Sequence, residues 1–309
     1  MITANPRTER LAYAAAGLTL LVWSSSYAGI SYGLQVFTPG ELVLLRFSIA
    51  SVCLAALALM GLFKLPPLRD WPAILVLGFI GNTLYQLCLC YSMTRLSPGA
   101  ASVVISMIPG VTSVLAVLRL KERIGRRAVI GLSIAFAGTL LVTLGRGHEL
   151  HLEPMALLAF AAVVCSSVYF VWQKPLFART SPLGVSAASI FTGTLGFIPF
   201  GTHLPEKLAL VSHAQLFSVL YLALVPTVIG YLSWSWALSR APASRVSSFL
   251  YLQPLIACAI AWVWLGDIPT WLTVMGGTLA IAGVILTTGQ WSLRLPWRKA
   301  PEPCAAPEG

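Results

Sequence analysis

Long apolar runs, separated by short polar or proline-rich breaks, dominate this chain of 309 residues. The runs are continuous rather than alternating, which excludes a transmembrane β-barrel and favours helices. Most are about 20 residues long, the length that an α-helix needs to cross a bilayer. The breaks predict ten membrane-spanning helices, called spans 1 to 10, at about 11–34, 39–61, 71–93, 99–119, 126–144, 154–173, 183–201, 212–237, 243–264 and 270–289.

The composition also indicates an all-α integral membrane protein. Only 10% of the residues are charged and 57% are hydrophobic, whereas about a quarter of an ordinary soluble domain is charged. No trustworthy cleavage site follows span 1, so we expect this helix to be retained. Five of the six cysteines lie in apolar spans and the sixth in the C-terminal tail, which is typical of small buried thiols. We expect no cofactor and no bound metal.

The distribution of basic residues predicts the orientation. If the ten spans cross in turn, sixteen of the twenty lysines and arginines fall on one side and three on the other, while Arg46 lies inside span 2. Cytoplasmic loops carry such an excess. We therefore expect a multi-pass inner-membrane protein whose tails, 1–10 and 290–309, are both cytoplasmic. The net charge of +10 reflects this topology, and we expect the lipid bilayer rather than a nucleic acid as partner.

The two halves of the chain resemble each other at an offset of 145 residues. "GLSIAFAGTLLVT" (131–143) matches "GGTLAIAGVILTT" (276–288) at six of thirteen positions, and Pro109 matches Pro254. "SSSY" (24–27) matches "SSVY" (166–169) at a slightly different offset. Because each half has five spans, the second copy is inverted in the membrane. Two inverted five-helix repeats, 11–145 and 154–289, around a central site are typical of secondary transporters.

Several motifs carry a resemblance to a known family. The first half contains "LVWSSSYAGISYGL" (21–34), "LVLLRFSIA" (42–50) and "SPGAASVVISMIPGVTSVLAVLRLKERI" (97–124), and the second contains "APASRVSSFLYLQPLIACAIAWVWLGDIP" (241–269). The chain resembles the EamA-type exporters of the drug/metabolite transporter superfamily over nearly its whole length. This resemblance implies a central cavity lined by spans 1, 3, 4, 6, 8 and 9, with spans 5 and 10 at the periphery.

One branch of that superfamily, the YddG-type exporters, carries aromatic amino acids. The resemblance places two of its cavity aromatics on Ser106 and Ile108, where this chain has lost the aromatic ring, and one tyrosine on Tyr85, where the ring is kept. Aromatic specificity is therefore weakened, while the export of amino acids or other metabolites stays open.

Polar and aromatic side chains at mid-membrane depth indicate the substrate site, because such groups are costly unless they pair or face a wet cavity. Some of these hydroxyls could instead bond to their own helix, and some aromatics could form an interfacial belt. Together they could line a cavity for a small zwitterion or aromatic solute. The predicted substrate-binding residues are Trp23, Ser24, Tyr27, Asn82, Tyr85, Gln86, Ser106, Ser166, Tyr169, Tyr231, Trp234, Tyr251 and Gln253.

Arg46, Pro109 and Pro254 have alternative interpretations. Arg46 could cap backbone carbonyls, pair with Glu41, or bind a substrate carboxylate. The two prolines predict helix kinks near the bilayer centre, which could either flank the cavity or merely aid packing. Small residues at 131, 135, 138, 276, 280 and 283 predict close helix packing, within a monomer rather than in a dimer.

The acidic residues all fall in tails, loops or span ends, and no phosphate-binding loop is present. We therefore expect facilitated export of small metabolites by alternating access, with aromatic or hydrophobic amino acids favoured, and no enzymatic activity. The alternative is a proton-coupled exporter of drugs or nucleotide-linked metabolites. A channel and a membrane enzyme are weaker alternatives; the enzyme would use the four outer histidines at 148, 151, 203 and 213. The loop 146–154 could bind a metal but is by default an exposed loop.

Overall fold

The computed structural model describes residues 6–96, 101, 104–145, 155–202, 204–208, 211–256, 259 and 270–288, and these residues form helices and turns without a strand. The loop 146–154 with its two histidines, His203, and the C-terminal tail at 290–309 lie outside the described residues. The α-helices are α1 (Pro6–Gly33), α2 (Pro39–Leu59), α3 (Trp71–Gly78), α4 (Tyr85–Ser92), α5 (Ile108–Leu120), α6 (Arg126–Gly145), α7 (Met155–Trp172), α8 (Pro182–Leu195), α9 (Leu204–Leu208), α10 (His213–Leu222), α11 (Gly230–Arg240), α12 (Ala243–Ser248) and α13 (Trp271–Thr288).

Five helical stretches of the described chain are long and apolar enough, by length and composition, to cross a membrane. They are Pro39–Leu59, Leu68–Ser92, Met155–Ala178, His213–Arg240 and Trp271–Thr288. Two shorter apolar helices, Ile108–Leu120 and Pro182–Leu195, accompany them. The number of ten spans stays a prediction, since spans 4 and 9 fall partly on residues that the structure does not describe.

Two of the long stretches contain a π-helical segment at equivalent positions. Phe79–Leu84 joins α3 to α4, and Ala223–Ile229 joins α10 to α11. A shift of 145 residues carries the first segment onto 224–229. A π segment widens the turn, frees backbone groups and is frequent at functional sites. The two segments therefore mark corresponding irregularities in the two halves of the chain.

Each of the paired prolines lies near the start of a helical segment, and the kinks that they were expected to make stay a prediction. Pro109 lies in the first turn of α5, directly after a turn at residues 106–107. Pro254 lies in the helical residues 253–256, which follow a 3₁₀ turn at Phe249–Leu252. In the first turn of a helix the missing N–H of proline has no intrahelical acceptor to lose. Each proline therefore follows a change in helix type.

Helices α6 and α13 pack so closely that only glycine fits at several contact positions. A Cβ atom at Gly138 would lie 2.4 Å from the backbone nitrogen of Ala280, and one at Gly283 would lie 2.4 Å from that of Ala135. Small residues at a helix interface allow this approach of backbone to backbone. The predicted small-residue positions thus join spans 5 and 10 within one chain.

Candidate substrate site

A small cavity lies between the two halves of the helical core, with a volume of about 30 Å³. A single water needs about 10–15 Å³ measured in this way, so the space holds a few waters at most. Nine predicted residues line it: Trp23, Tyr27, Arg46, Tyr85, Gln86, Ser166, Tyr169, Tyr231 and Gln253. Except for Arg46 of α2, they belong to predicted spans 1, 3, 6, 8 and 9.

The lining contains four pairs of residues from equivalent positions of the two halves. They are Tyr27 with Tyr169, Gln86 with Tyr231, Ile105 with Leu250, and Ile108 with Gln253. Members of one pair touch each other, because the Gln86 side-chain amide donates a hydrogen bond of 3.1 Å to the hydroxyl of Tyr231. Equivalent residues of the two halves therefore meet in the lining of the cavity.

Aromatic rings form one wall of the cavity around Trp23. Its ring centroid lies 5.6 Å from that of Tyr231 in an edge-on arrangement and 6.4 Å from that of Phe170 in a stacked one. Its indole nitrogen donates a 2.9 Å hydrogen bond to the carbonyl of Pro226. That carbonyl is available because the N–H of Gly230 bonds to residues 225 and 227 at the end of the π segment. A Cβ atom at Gly230 would lie 2.5 Å from the indole nitrogen, so glycine permits this approach.

Arg46 is 3% exposed and lines the cavity from α2. Its Nε donates to the hydroxyl of Thr227 at 2.6 Å and to the carbonyl of Leu222 at 3.2 Å. The Thr227 hydroxyl also donates to the Leu222 carbonyl, at 2.9 Å. Pro226, four residues after Leu222, has no N–H with which to occupy that carbonyl. The π segment with its proline thereby creates the acceptors that hold Arg46 at this depth.

The alternative in which Arg46 pairs with Glu41 is wrong. Glu41 forms a 2.6 Å ion pair with Lys207, and it also accepts a 2.7 Å hydrogen bond from the backbone nitrogen of Thr38 in a capping box at the start of α2. Arg46 has no acidic partner within the described part of the chain, where its electrostatic neighbours are Tyr231, Cys90 and Tyr85. Its Cζ atom lies 5.6 Å from the centre of the Phe47 ring.

Three cavity residues have a buried side-chain oxygen without a hydrogen-bond partner among the described residues: the hydroxyl of Tyr169 and the amide oxygens of Gln86 and Gln253. Burying an amide oxygen without a donor is costly. Both glutamines line the cavity, so these buried amide oxygens lie beside it without a donor from the described residues.

Five predicted site residues lie outside the cavity lining. Asn82 donates to the carbonyl of Ser189 at 2.7 Å and so joins α8 to the first π segment, while Ser24 makes a 3.5 Å contact to the carbonyl of Gln253. Tyr251 packs edge-on to Phe136, at 6.2 Å between ring centroids. The remaining two are buried in the helical core beside the lining: Ser106 and Trp234.

The structure adds lining residues that the prediction missed, among them Ser26, Ile105, Leu250 and Phe170. Three of them are apolar, so no polarity signal distinguishes them from the rest of a membrane helix. The repeat of 145 residues could have indicated one pair of these missed residues, because Ile105 and Leu250 occupy equivalent positions and both line the cavity.

Ionic contacts tie the two halves together outside the cavity. Glu122 accepts hydrogen bonds from the backbone nitrogens of Ala243 and Ser244, at 2.8 and 3.3 Å, and from the hydroxyl of Ser244 at 2.8 Å. The Lys174 ammonium lies 3.7 Å from the same carboxylate and donates to the carbonyl of Ala241. The carboxylate therefore caps the first turn of α12, where backbone N–H groups lack intrahelical acceptors.

Helices from both halves of the chain thus enclose a cavity lined by polar and aromatic side chains, an arrangement that suits a small-molecule transporter. The chain belongs to the EamA-like transporter family, whose model matches residues 10–144 and again residues 153–289. The family therefore establishes a membrane transporter, in agreement with the resemblance seen in the sequence.

Individual relatives match along most of the chain. It is 33% identical over 270 residues to the uncharacterized transporter YdfC of Bacillus subtilis, covering 87% of this chain and 88% of that protein. It is 34% identical over 269 residues to a "Probable terminal-alkyne amino-acid exporter" of Streptantibioticus cattleyicolor, covering 87% of this chain and 90% of that protein. A protein of known crystal structure aligns with a TM-score of 0.75 at 21% identity, over 90% of this chain and 96% of that chain, and supports the fold alone.

Proposed function

We propose that this protein is a secondary transporter that exports small metabolites, amino acids above all, by alternating access. The observation that carries the proposal is the cavity lined by equivalent residues from both halves, such as Tyr27 and Tyr169. In an inverted repeat such a site lies at the interface of two units that rock against each other. One site can then open to either side in turn.

The proposed architecture has ten spans in two inverted halves, at 11–145 and 154–289. The two successive family matches and the equivalent π segments support two halves of the same construction. The excess of lysine and arginine on one side supports cytoplasmic termini and an inner-membrane location. The glycine contacts between α6 and α13 are made within one chain, which supports a monomer.

The cavity chemistry supports an amino acid as substrate. Aromatic rings, two glutamine amides and one guanidinium suit a small solute with both polar and apolar parts. The amino-acid exporter among the relatives supports the same class. Because the present cavity of about 30 Å³ admits only a few waters, binding requires the halves to move apart.

The placement of the carboxylates supports facilitated transport over proton coupling. Four described acidic residues form ion pairs at helix ends: Glu9 with Arg245, Glu41 with Lys207, Asp70 with Arg179 and Glu122 with Lys174. None of the described residues that line the cavity is acidic. A proton carrier usually keeps an ionisable group at mid-membrane depth.

Counterflow in liposomes tests this function. Purified protein is reconstituted into liposomes loaded with one unlabelled amino acid, and uptake of the labelled form is followed for each amino acid in turn. We expect saturable counterflow for a subset with neutral, apolar side chains. The absence of counterflow for all amino acids would refute the substrate class. Accumulation against a gradient that depends on an imposed pH step would refute facilitated transport.

A further inference from the structure

We infer that the cavity binds an α-amino acid as a zwitterion, with the substrate carboxylate on Arg46 and its ammonium group on the side-chain oxygens of Gln86 and Gln253. This inference rests on the proposed function and deepens it, since it names the groups that select the substrate.

Arg46 carries a charge that its protein surroundings leave without a counter-ion. It is buried in the first half of α2, and no acidic residue of the described chain lies within ion-pair distance. An ionised group buried in this way is paired with an opposite charge or serves a function. A carboxylate arriving with the substrate would supply the missing negative charge.

The geometry of the guanidinium leaves its binding edge available. Both protein hydrogen bonds of Arg46, to Leu222 and Thr227, are made by Nε. The two terminal nitrogens make no hydrogen bond to any residue that the structure describes, and the side chain lines the cavity. Two parallel N–H groups at the end of a fixed arginine match the two oxygens of a carboxylate. Arg46 is thus anchored through Nε, while its terminal nitrogens have no hydrogen-bond partner among the described residues.

The opposite pole of a zwitterion needs acceptors rather than donors. The side-chain oxygens of Gln86 and Gln253 are buried and lack a donor among the described residues. The amide nitrogen of Gln86 is anchored on the hydroxyl of Tyr231, which is also an electrostatic neighbour of Arg46. An ammonium group carries three N–H donors, so it can satisfy both oxygens at once. The two poles of the site therefore belong to one continuous cavity.

The remainder of the lining restricts the substrate side chain. Trp23, Tyr27 and Tyr169 contribute aromatic side chains to the lining, and Arg46 is the one charged residue among the lining side chains that are described. A charged substrate side chain would therefore lack an opposite charge in the site, whereas an apolar or aromatic one would pack on the rings. The inferred substrates are amino acids with neutral, apolar side chains.

Competition on the unmodified protein tests both poles. The amino acid with the largest counterflow is measured in liposomes against two analogues of the same side chain. One is the amine that lacks the carboxylate, and the other is the acid that lacks the ammonium group. We expect each analogue to compete at least about tenfold more weakly than the amino acid, because each loses charge-assisted hydrogen bonds. Equal competition by either analogue would overturn the inference while leaving amino-acid transport intact.

Substitutions then test whether Arg46 binds the substrate carboxylate and whether Gln253 binds the ammonium group. Arg46→Gln should weaken competition by the amino acid and by the acid at least about tenfold, with the amine unaffected. Gln253→Leu should weaken competition by the amino acid and by the amine, with the acid unaffected. The control is Arg119→Gln, because Arg119 lies over the Trp172 ring, 6.0 Å from its centre and outside the cavity lining; it should leave all three unchanged.

A folding defect in Arg46→Gln can be distinguished from a loss of substrate binding. In Arg46→Gln the Leu222 carbonyl keeps its hydrogen bond from Thr227, so the helix retains its acceptor pairing. If that variant does not yield monodisperse protein, the analogue series on the unmodified protein still decides the question. A uniform weakening of all three competitors by Arg46→Gln would show a structural role and overturn the assignment. Failure of every amino acid to exchange would instead refute the proposed function, and this inference with it.

Discussion

The cap that Glu122 places on α12 is expected to hold the cytoplasmic side closed. Glu122 belongs to the first half of the chain, while Ala243, Ser244 and Lys174 belong to the second. In the proposed topology these residues lie at the cytoplasmic ends of the spans. Opening of that side would separate the halves there and break these contacts. Glu122→Ala should therefore shift the protein towards an inward-open conformation.

The magnitude follows from the contacts. The Glu122 side chain is 15% exposed and accepts three hydrogen bonds, and its ion pair with Lys174 is long at 3.7 Å. A hydrogen bond to a charged group contributes about 1.5–3 kcal/mol, less where water can replace it. A net loss of about 2–4 kcal/mol is then expected from the closed state. At 1.4 kcal/mol per factor of ten, the ratio of open to closed protein rises about 30- to 700-fold.

Thiol labelling measures this shift. Ser166, which lines the cavity, is replaced by cysteine in a background without native cysteines, and a membrane-impermeant maleimide is added from the cytoplasmic face of inverted vesicles. Glu122→Ala should raise the labelling rate. Glu41→Gln is the matched control at the other side, because glutamine keeps the capping box and loses only the charge opposite Lys207; it should lower the rate or leave it unchanged. An unchanged rate in Glu122→Ala, together with reduced thermal stability, would show that the cap serves folding and refute the reasoning.

Three further predictions concern packing and the cavity wall. Gly138→Ala should lower the thermal unfolding temperature in detergent, since its Cβ would meet backbone at 2.4 Å, whereas Gly17→Ala, with no atom within 4 Å, should keep or raise it. Trp23→Phe removes the hydrogen bond to Pro226 and should lower the free energy of unfolding by about 1 kcal/mol in chemical denaturation; no change would show that water replaces the indole. Tyr85→Ala should raise the KM for transport with normal expression, and an unchanged KM would remove Tyr85 from the site.

On regular helix the polarity pattern selected several residues that line the cavity, although Ser24 of α1 and Trp234 of α11 do not line it. Tyr85 and Gln86 begin α4 and both line the cavity, as the spacing of polar residues indicates. Asn82, three residues earlier, was predicted on the same face. It lies in the π segment, whose wider turn changes the helical phase, and it bonds to Ser189 instead. A pattern that assumes 3.6 residues per turn cannot anticipate that change.

Tyr251 and Gln253 were both predicted at the site, although residues two apart in a helix do not share a face. The 3₁₀ turn at Phe249–Leu252 ends directly before Gln253. Gln253 reaches the cavity, while Tyr251 packs on Phe136. The partners of Arg46 were equally hidden from sequence, because they depend on a carbonyl freed by a proline 180 residues further along the chain.

The hydrogen bond between Gln86 and Tyr231 has a consequence for the transport cycle. If the two halves exchange conformations, every contact between them in one state is replaced in the other by the contact between the equivalent residues. The Glu122 cap must then give way to a different pair on the opposite side. The glycine contacts between α6 and α13 map onto one another, and the Gln86–Tyr231 contact in the cavity wall maps onto itself, since each residue is the counterpart of the other. The Gln86–Tyr231 contact can persist through the whole movement and act as a pivot, and a change there would alter the rate of exchange between states more than their relative populations.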